Sequence, residues 1–254
     1  MSSFERLQTF DENVVDGICI SLRKAYNPSL SRYFIYQDLN FKQYFLSLIN
    51  NDDVYIFYSV DSALNRLTSF AFFEVNDKIL SLRNIIVDHK SKAPNIGAQL
   101  FATAIKDIGR KHTNIEVFQL DVFEQNTGAY NWYLSIGLIV SHNLYWYDIS
   151  NLFKHHHTSL LPGNKLRCLS IETDNYGFKQ LIYENEVIGS LINSNSLVIK
   201  CNLTSALLSL LRVYFKDHFP LNVCLISNIP LDFYLIDRSI QLVTTFDTLY
   251  REDV

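Results

Sequence analysis

The chain of 254 residues is 48% hydrophobic and 19% charged, and its formal net charge is −4. These proportions are typical of a folded globular protein and exclude a disordered chain. Because the sequence has no long run of Lys and Arg, nucleic acid or an anionic membrane surface is not expected as the main partner. A mildly acidic protein is compatible with an amine substrate.

The cysteines and the N-terminal residues indicate a reducing compartment. Cys19, Cys168, Cys201 and Cys224 form no CxxC pair, so they predict neither a zinc site nor a disulfide framework. Apolar neighbours predict buried free thiols at Cys19 and Cys224. The N-terminal residues lack a basic region followed by an apolar run, so no signal peptide is expected, and no apolar run reaches the roughly 18–20 residues of a membrane helix. We therefore expect a cytoplasmic protein without a membrane segment.

In the first half, the sequence predicts helices before and after a meander of three strands. Apolar residues at spacings of three and four predict the helices, and runs of aromatic and β-branched residues predict the strands. The predicted elements are a strand at Glu5–Phe10, a helix from Asp11 through Leu22, a helix at Phe41–Ile49, strands at Val54–Val60, Leu67–Val75 and Ile79–Val87, a helix at Ile96–Lys111, a strand at Ile115–Val122, a short helix over Asn126–Gly137 and a strand at Ser141–Ile149.

The second half repeats this order from the meander onward. A polar, basic stretch with a Pro-Gly-Asn turn predicts a linker at residues 151–164. The elements predicted after it are strands at Leu166–Glu172, Phe178–Glu184, Glu186–Asn193 and Leu197–Lys200, a helix at Leu203–His218, a strand at Leu221–Ile226, a short helix at Pro230–Ser239 and a strand at Gln241–Tyr250. We interpret this half as a truncated second copy of one fold.

The loop between Val87 and Ile96 has the features of a phosphate site. It opens a helix, so several backbone N–H groups are left unpaired at the positive end of the helix dipole. Lys92 adds positive charge, and Gly97 permits a close approach of the backbone to an anion. The plainer alternative is that Asn95 caps an ordinary helix and Gly97 only relieves packing.

Two motifs in this region resemble those of the GCN5-related N-acetyltransferase superfamily. The first motif has Arg or Gln, two residues, Gly, one residue, and Gly or Ala after a strand. Here Val87 ends the strand, Lys92 stands at the Arg/Gln position, Asn95 replaces the first glycine and Gly97 is the last. The second motif is matched by Val122, Asn126, Ala129, Tyr133, Gly137 and Leu138, where Leu138 replaces the common Phe.

The resemblance covers about residues 4–150 and implies an α/β (α+β) fold with a central mixed, mostly antiparallel sheet flanked by helices. It implies an acetyltransferase domain at 1–150 and, after the linker, a shortened and non-catalytic acetyltransferase-like domain at 165–254. The implied donor is acetyl-coenzyme A, and the implied acceptor is a small-molecule or peptide amine.

The resemblance also implies which residues hold the donor. The backbone of β-strand residues would pair with the pantetheine arm, loop amides would hold the diphosphate, and Asn126 would contact the arm. Tyr133 would protonate the departing thiolate. The residues implied to bind the cofactor are Ile85, Ile86, Val87, Lys92, Asn95, Ile96, Gly97, Ala98, Asn126 and Tyr133. The alternatives are that Asn126 caps the short helix and Tyr133 is a core aromatic.

An acetyl transfer to an ammonium group also needs a base. The carboxylates on the predicted central strands are Glu74, Asp121 and Glu116. Because successive strand residues face opposite sides of a sheet, only one of Asp121 and Glu116 can face a cleft. For each of the three, an exposed or ion-paired carboxylate is the alternative reading.

The remaining features predict no metal and leave two function classes open. Consecutive histidines at His155, His156 and His157 cannot all aim at one ion, so a solvated linker is expected. The second half has no glycine between the predicted strand Leu197–Lys200 and the predicted helix Leu203–His218, and its short helix lacks the Asn–Ala–Tyr set. The sequence is compatible with an acetyltransferase, or with a non-catalytic module that binds acyl-coenzyme A or a protein. The acceptor and the oligomeric state stay open.

Overall fold

The computed structural model describes residues 4–61, 66–88, 95–154, 168–215, 220 and 222–250. Residue contacts divide the chain into two compact units. The first unit contains Met1–Ala25, Lys42–His142 and Ile240–Val254, and the second contains Tyr26–Phe41 and Asn143–Ser239. These units do not follow the limits 1–150 and 165–254, which stay a prediction about the internal repeat. Within the described ranges, no helix has the length and apolarity needed to cross a membrane.

The first half of the chain forms the elements that its periodicity predicts, with two short additions after α1. The predicted first strand, Glu5–Phe10, is shorter than expected and ends at Arg6. In chain order the elements are β1 (Glu5–Arg6), α1 (Glu12–Lys24), α2 (Pro28–Ser31), a 3-10 turn (Ile35–Gln37), α3 (Phe41–Ile49), β2 (Val54–Asp61), β3 (Arg66–Asn76), β4 (Ile79–Val87), α4 (Ile96–Lys111), β5 (Val117–Phe123), α5 (Thr127–Ser135) and β6 (Ile139–Asp148).

The second half forms six further strands and three helices among the described residues. They are α6 (Asn151–Lys154), β7 (Leu169–Thr173), β8 (Lys179–Tyr183), β9 (Glu186–Ile192), β10 (Ser196–Ile199), α7 (Ser205–Tyr214), β11 (Asn222–Ser227), β12 (Tyr234–Thr245) and α8 (Phe246–Tyr250).

The helix boundaries follow from capping. Asp11 accepts a hydrogen bond from the Val14 amide at 3.1 Å, as the predicted helix start requires. Thr204 caps α7 in the same way, accepting from the Leu207 amide at 3.1 Å. Both helices then bury one apolar face, which supplies most of the stability of a helix of this length.

The first unit is a mostly antiparallel sheet in the order β1-β2-β3-β4-β5-β12. Only the β4–β5 pair is parallel among the strand pairs whose register is defined in this unit. Helix α4 packs on one face of the sheet through Leu100, Phe101 and Ala104, against the strand residues Phe73 and Leu120. A parallel pair needs a crossover connection, and α4 supplies it.

In the second unit the strands follow the order β6-β11-β10-β9-β8-β7, and α7 covers a core of this unit. The segment 26–41 is fixed to this unit by hydrogen bonds. Asp38 accepts from the Asn193 amide at 3.2 Å, and the Asn40 side chain donates to the Gly177 carbonyl at 3.0 Å. These contacts explain why a segment from the first half of the chain belongs to the second unit.

The structure corrects the end of the predicted second half. Pro230–Ser239 is not a helix, because Tyr234 already begins β12, where Asp237, Ser239, Ile240 and Leu242 are buried as in a strand. The predicted strand Gln241–Tyr250 ends at Thr245 and continues as α8. The first residues of the predicted linker 151–164 form α6, because Phe153 is buried in the second core.

The last strand completes the core of the first unit. Ile240, Leu242 and Phe246 are each at most 4% exposed, and they belong to the same cluster as Leu120 and Leu100. Fully burying an aliphatic or aromatic side chain contributes about 1.5–3 kcal/mol. A chain that lacks these residues exposes the core beneath β5 and α4.

We therefore predict that residues 1–150, expressed alone, will not fold cooperatively. Native proteins are stable by only about 5–15 kcal/mol, and this truncation removes three buried side chains together with a strand. Near-UV circular dichroism during urea unfolding measures this, with the full chain as the control. A cooperative unfolding transition of the 1–150 fragment would contradict the prediction.

Candidate functional site

The parallel strands β4 and β5 part at their carboxyl ends. Their ladder runs from Ile79 opposite Val117 to Leu82 opposite Leu120, and it stops there. β4 continues to Val87 and β5 continues to Phe123 without pairing to each other. The edge of β4 that faces β5 is therefore open over its last residues. An extended chain can add to such an edge through main-chain hydrogen bonds.

A β-bulge at Arg83 accompanies the parting. Leu82 lies opposite Phe73, but Asn84 lies opposite Phe72, so Arg83 is an extra residue in β4. A bulge bends its strand and changes the direction of the side chains that follow. As a result Ile85 joins Leu82 in facing the α4 core, while Arg83 is exposed.

The N-terminus of α4 offers unpaired amides beside this opening. The Gln99 amide donates to the Asn95 carbonyl at 3.0 Å and starts the helical ladder. Among the described residues, the amides of Ile96, Gly97 and Ala98 find no acceptor. These three donors precede the ladder at the positive end of a 16-residue helix. The arrangement suits a diphosphate.

Asn95 stands in the helix-capping position but does not cap with its side chain. Its φ is 56° and its ψ is 25°, the left-handed conformation, and the side chain makes no capping hydrogen bond. Glycine and asparagine are the residues that adopt this conformation most readily. The alternative reading of Asn95 as an ordinary side-chain cap is therefore wrong.

Among the described residues, the end of β4 limits the space at Gly97. A Cβ on Gly97 would lie 3.4 Å from Val87 Cγ2, and no other heavy atom of those residues lies within 4 Å. A methyl group fits there without disturbing the fold. Lys92 lies outside the described residues, so its predicted place beside the anion stays a prediction.

Asn126 does serve as the cap of α5. Its Oδ1 accepts a hydrogen bond from the Ala129 amide at 3.3 Å, and the residue is exposed. The capping alternative is confirmed. The nitrogen of the same side-chain amide, Nδ2, has no hydrogen-bond partner among the described residues. A contact between Asn126 and a cofactor stays a prediction.

Tyr133 lies deep in the core under α4. It is 4% exposed and packs in the cluster that contains Leu120, Val122 and Ile85, the residues that flank the opening. Burial raises the pKa of the Tyr133 phenol above its ordinary value. Its hydroxyl makes no hydrogen bond within the part of the chain that the structure describes. Tyr133 therefore places a protonated phenol near the residues that flank the opening, and no described residue is hydrogen-bonded to its hydroxyl.

The three candidate bases have different surroundings. Glu74 forms an ion pair with Arg83, whose Nη2 lies 2.7 Å from Glu74 Oε2. Glu116 forms an ion pair with Lys78 before β5 begins, at the paired end of the ladder. Both carboxylates are partly neutralised by their partners, and Glu116 lies away from the opening.

Asp121 is the carboxylate at the point of parting. It follows Leu120, the last paired residue of β5, and faces away from the α4 core. Its side chain is accessible to solvent, but surrounding protein atoms displace enough water to raise the pKa of the carboxyl. The positive charges of His142 and Arg83 oppose that rise. A carboxyl with a raised pKa is a better proton acceptor once ionised.

The sequence analysis did not identify Arg83 or His142. The signal for Arg83 was the pair Arg83-Asn84, two consecutive polar residues after which the apolar alternation of Leu80 and Leu82 resumes one position later, at Ile85. His142, on the exposed start of β6, carries no comparable signal. No group of three or more metal-ligating side chains occurs among the described residues. His155, His156 and His157 lie outside those residues.

The corresponding strands of the second unit do not part. β10 pairs with β11 over its whole length, from Ser196 opposite Asn222 to Ile199 opposite Leu225. The following helix has a side-chain cap at Thr204 in place of a glycine-containing loop. This pair offers no open strand edge of the kind seen between β4 and β5.

Comparisons with known proteins bear on the fold. No family model matches the sequence, and no curated protein matches it. A solved tandem GNAT protein from the clavulanic acid biosynthesis pathway, without AcCoA, aligns over 97% of this chain and 99% of its own, with a TM-score of 0.66 at 12% identity. A GCN5-related N-acetyltransferase from Sphaerobacter thermophilus aligns over 96% of both chains, with a TM-score of 0.57 at 9% identity.

These likenesses extend over nearly the whole chain and therefore include both halves. The protein has the GCN5-related N-acetyltransferase fold in its tandem form, as the two motifs predicted. The predicted fold class, a mixed and mostly antiparallel sheet flanked by helices, is confirmed.

We predict that Asn95→Ala destabilises the protein by about 1 kcal/mol, whereas Asn95→Gly leaves its stability nearly unchanged. Alanine is strained in the left-handed conformation and glycine is not. Urea unfolding of the two variants, without any ligand, measures the difference. Equal stability of the alanine and glycine variants would contradict the left-handed conformation at this position.

Proposed function

We propose that the protein is an N-acetyltransferase that moves an acetyl group from acetyl-coenzyme A to an amine by direct transfer. The observation that carries the proposal is the parting of β4 and β5 beyond Leu82 and Leu120, beside a helix whose first three amides have no acceptor among the described residues. The tandem acetyltransferase fold supports the same reading.

Acetyl-coenzyme A would supply an activated acetyl thioester, and the described residues fit its shape. The amides of Ile96, Gly97 and Ala98 would hold the diphosphate. The open edge of β4, at Ile85, Ile86 and Val87, would hold the extended pantetheine arm in the manner of an added strand. Lys92 and Asn126 are further proposed contacts, the first by charge and the second through its free Nδ2.

Charge near the predicted diphosphate site does not oppose an anion. Asp88 follows β4, but Arg66 Nη2 lies 3.2 Å from its Oδ2 and neutralises it. The α4 dipole adds positive potential at Asn95. An anion placed at these amides therefore meets a net attraction.

Two side chains would handle the protons. Asp121 would take a proton from the acceptor's ammonium group, directly or through water, so that a neutral amine can attack. Tyr133 would give its proton to the departing sulfur, because a phenol, with an ordinary pKa of about 10, carries its proton at neutral pH. Glu74 is not the proposed base, since its charge is engaged by Arg83.

The second unit is proposed to be non-catalytic. Its β10–β11 ladder leaves no open edge, and the Thr204 cap already occupies one amide at the start of α7. Its hydrogen bonds to the segment 26–41 give it a role in holding that segment. The acceptor is a small-molecule or peptide amine.

Gly97→Val should weaken acetyl-coenzyme A binding by about tenfold or more, because a branched side chain would project toward the diphosphate site. Gly97→Ala, whose methyl group meets only Val87, tests whether the fold itself is affected. Isothermal titration calorimetry with acetyl-coenzyme A measures the dissociation constants.

Gly128→Ala is the matched control, because a Cβ at this exposed position meets nothing within 4 Å. Its dissociation constant should equal that of the unsubstituted protein. An unchanged constant for Gly97→Val would remove the assignment of the loop. Thiol release with a panel of amines completes the test. Binding of acetyl-coenzyme A without turnover would favour the non-catalytic module. Absence of binding would count against both the acetyltransferase and a module that binds acyl-coenzyme A.

Tyr133→Phe should lower kcat by about a hundredfold while the dissociation constant for acetyl-coenzyme A stays the same. It should not destabilise the fold, because the hydroxyl has no hydrogen-bond partner among the described residues. Thiol-release kinetics and thermal unfolding measure the two effects. Tyr130→Phe, on the same helix, is the control and should alter neither; a parallel loss in both variants would contradict the acid role.

A further inference from the structure

Arg83 stands between two carboxylates on the open face of the first unit. Its Nε and Nη2 both lie 2.7 Å from Oε2 of Glu74 on β3. The next strand on its other side carries Asp121. A guanidinium presents several donors in one plane, and the edge of Arg83 that carries Nε and Nη2 is occupied by Glu74.

The β-bulge places these groups on one face. Leu82 and Leu120 are paired across the β4–β5 ladder, and both are buried under α4. The residues that follow them, Arg83 and Asp121, are both exposed and turn to the opposite face. Arg83 is the extra residue of the bulge, and its strand lies between β3, which carries Glu74, and β5, which carries Asp121.

The charged groups around Asp121 are few. Arg83 from β4 and His142 from β6 are the two that act on it, and both favour its ionised form. The β12 segment Ile240–Thr245, which lies beside β5, carries no ionisable side chain. After burial and His142, Arg83 is therefore a further influence on how readily Asp121 gains or loses a proton.

We propose that Glu74 is a positioning residue: its ion pair holds the Arg83 guanidinium on the β3 side and leaves the Asp121 carboxylate free to accept a proton. This inference rests on the proposed function, in which Asp121 is the base. Without the Glu74 charge, Arg83 turns to Asp121, pairs with it and makes it a weaker base. Glu74 thus acts on the reaction through Arg83 and touches no reacting atom.

The test follows the protonation of Asp121 directly. The carboxyl carbon resonances of ¹³C-labelled protein are recorded against pH for the unsubstituted protein, Glu74→Gln, Arg83→Gln and the double variant, with Asp121→Asn to assign the signal. Glu74→Gln should move the Asp121 titration to lower pH, and Arg83→Gln should move it to higher pH. The double variant should behave as Arg83→Gln alone.

Glu116→Gln provides the matched control, because it breaks a second exposed ion pair, with Lys78, at the far end of the same ladder. It should leave the Asp121 titration unchanged. Glu74→Asp keeps the charge and should restore most of the original titration. Exposed ion pairs of this kind contribute little to stability, so the variants are expected to fold.

An Asp121 titration that does not respond to Glu74→Gln, or a double variant that keeps the Glu74→Gln shift, overturns the proposal. The acid limb of the kcat/KM profile should move with the titration. If the titration responds as expected but no amine is acetylated, the positioning role stands and the transferase assignment fails. The two failures are therefore distinguishable.

Discussion

The parallel ladder between β4 and β5 ends after Leu82 and Leu120, and the rest of the candidate site depends on that ending. The Arg83 bulge marks the position where the two strands part. On one side of the sheet it directs Ile85 into the core that also holds Tyr133, and on the other side it exposes Arg83 next to Asp121. One irregularity of the backbone thus separates a face suited to an extended cofactor from a face with proton-accepting groups.

The second unit shows what the same arrangement of strands becomes without that irregularity. β10 and β11 stay paired to the end of β10, and Gly189 on β9 lets the Val198 backbone approach so closely that a Cβ would lie 2.2 Å from its carbonyl oxygen. Tight pairing of this kind gives a rigid sheet with a well-packed core. It suits a unit that fixes the segment 26–41.

Much of the fold could be predicted because local signals agree with the tertiary structure. The apolar periodicity of α4 and the Asp11 cap of α1 appear in the structure as the sequence predicts them. The helix predicted at Pro230–Ser239 was wrong for the opposite reason. Proline and the residues after it allow a helix locally, but the pairing of β12 decides the conformation from Tyr234 onward. Assignment of residues 240–250 to the first unit depends on long-range contacts, which no local pattern reveals.

The sequence could predict the parts of the candidate site in which a motif requires a particular backbone conformation. It could not predict the parts that depend on contacts between side chains of neighbouring strands. Asn95 stands where the motif has its first glycine, and its left-handed conformation explains why either residue can occupy this position. The carboxylates could be identified as candidates, but ranking them required knowing that Glu74 meets Arg83 and that Glu116 meets Lys78. Ion pairs between strands depend on register, and a bulge changes the register.

The place of β12 beside β5 has a consequence for how the protein is made. Residues 124–239 must leave the ribosome before Ile240 and Leu242 can reach Leu120. Until then, the nascent first half carries an unpaired strand edge and an uncovered apolar surface, the features that promote aggregation and chaperone binding. The earliest-synthesised unit is therefore the last to close, and translation of the final residues sets the moment at which it does so.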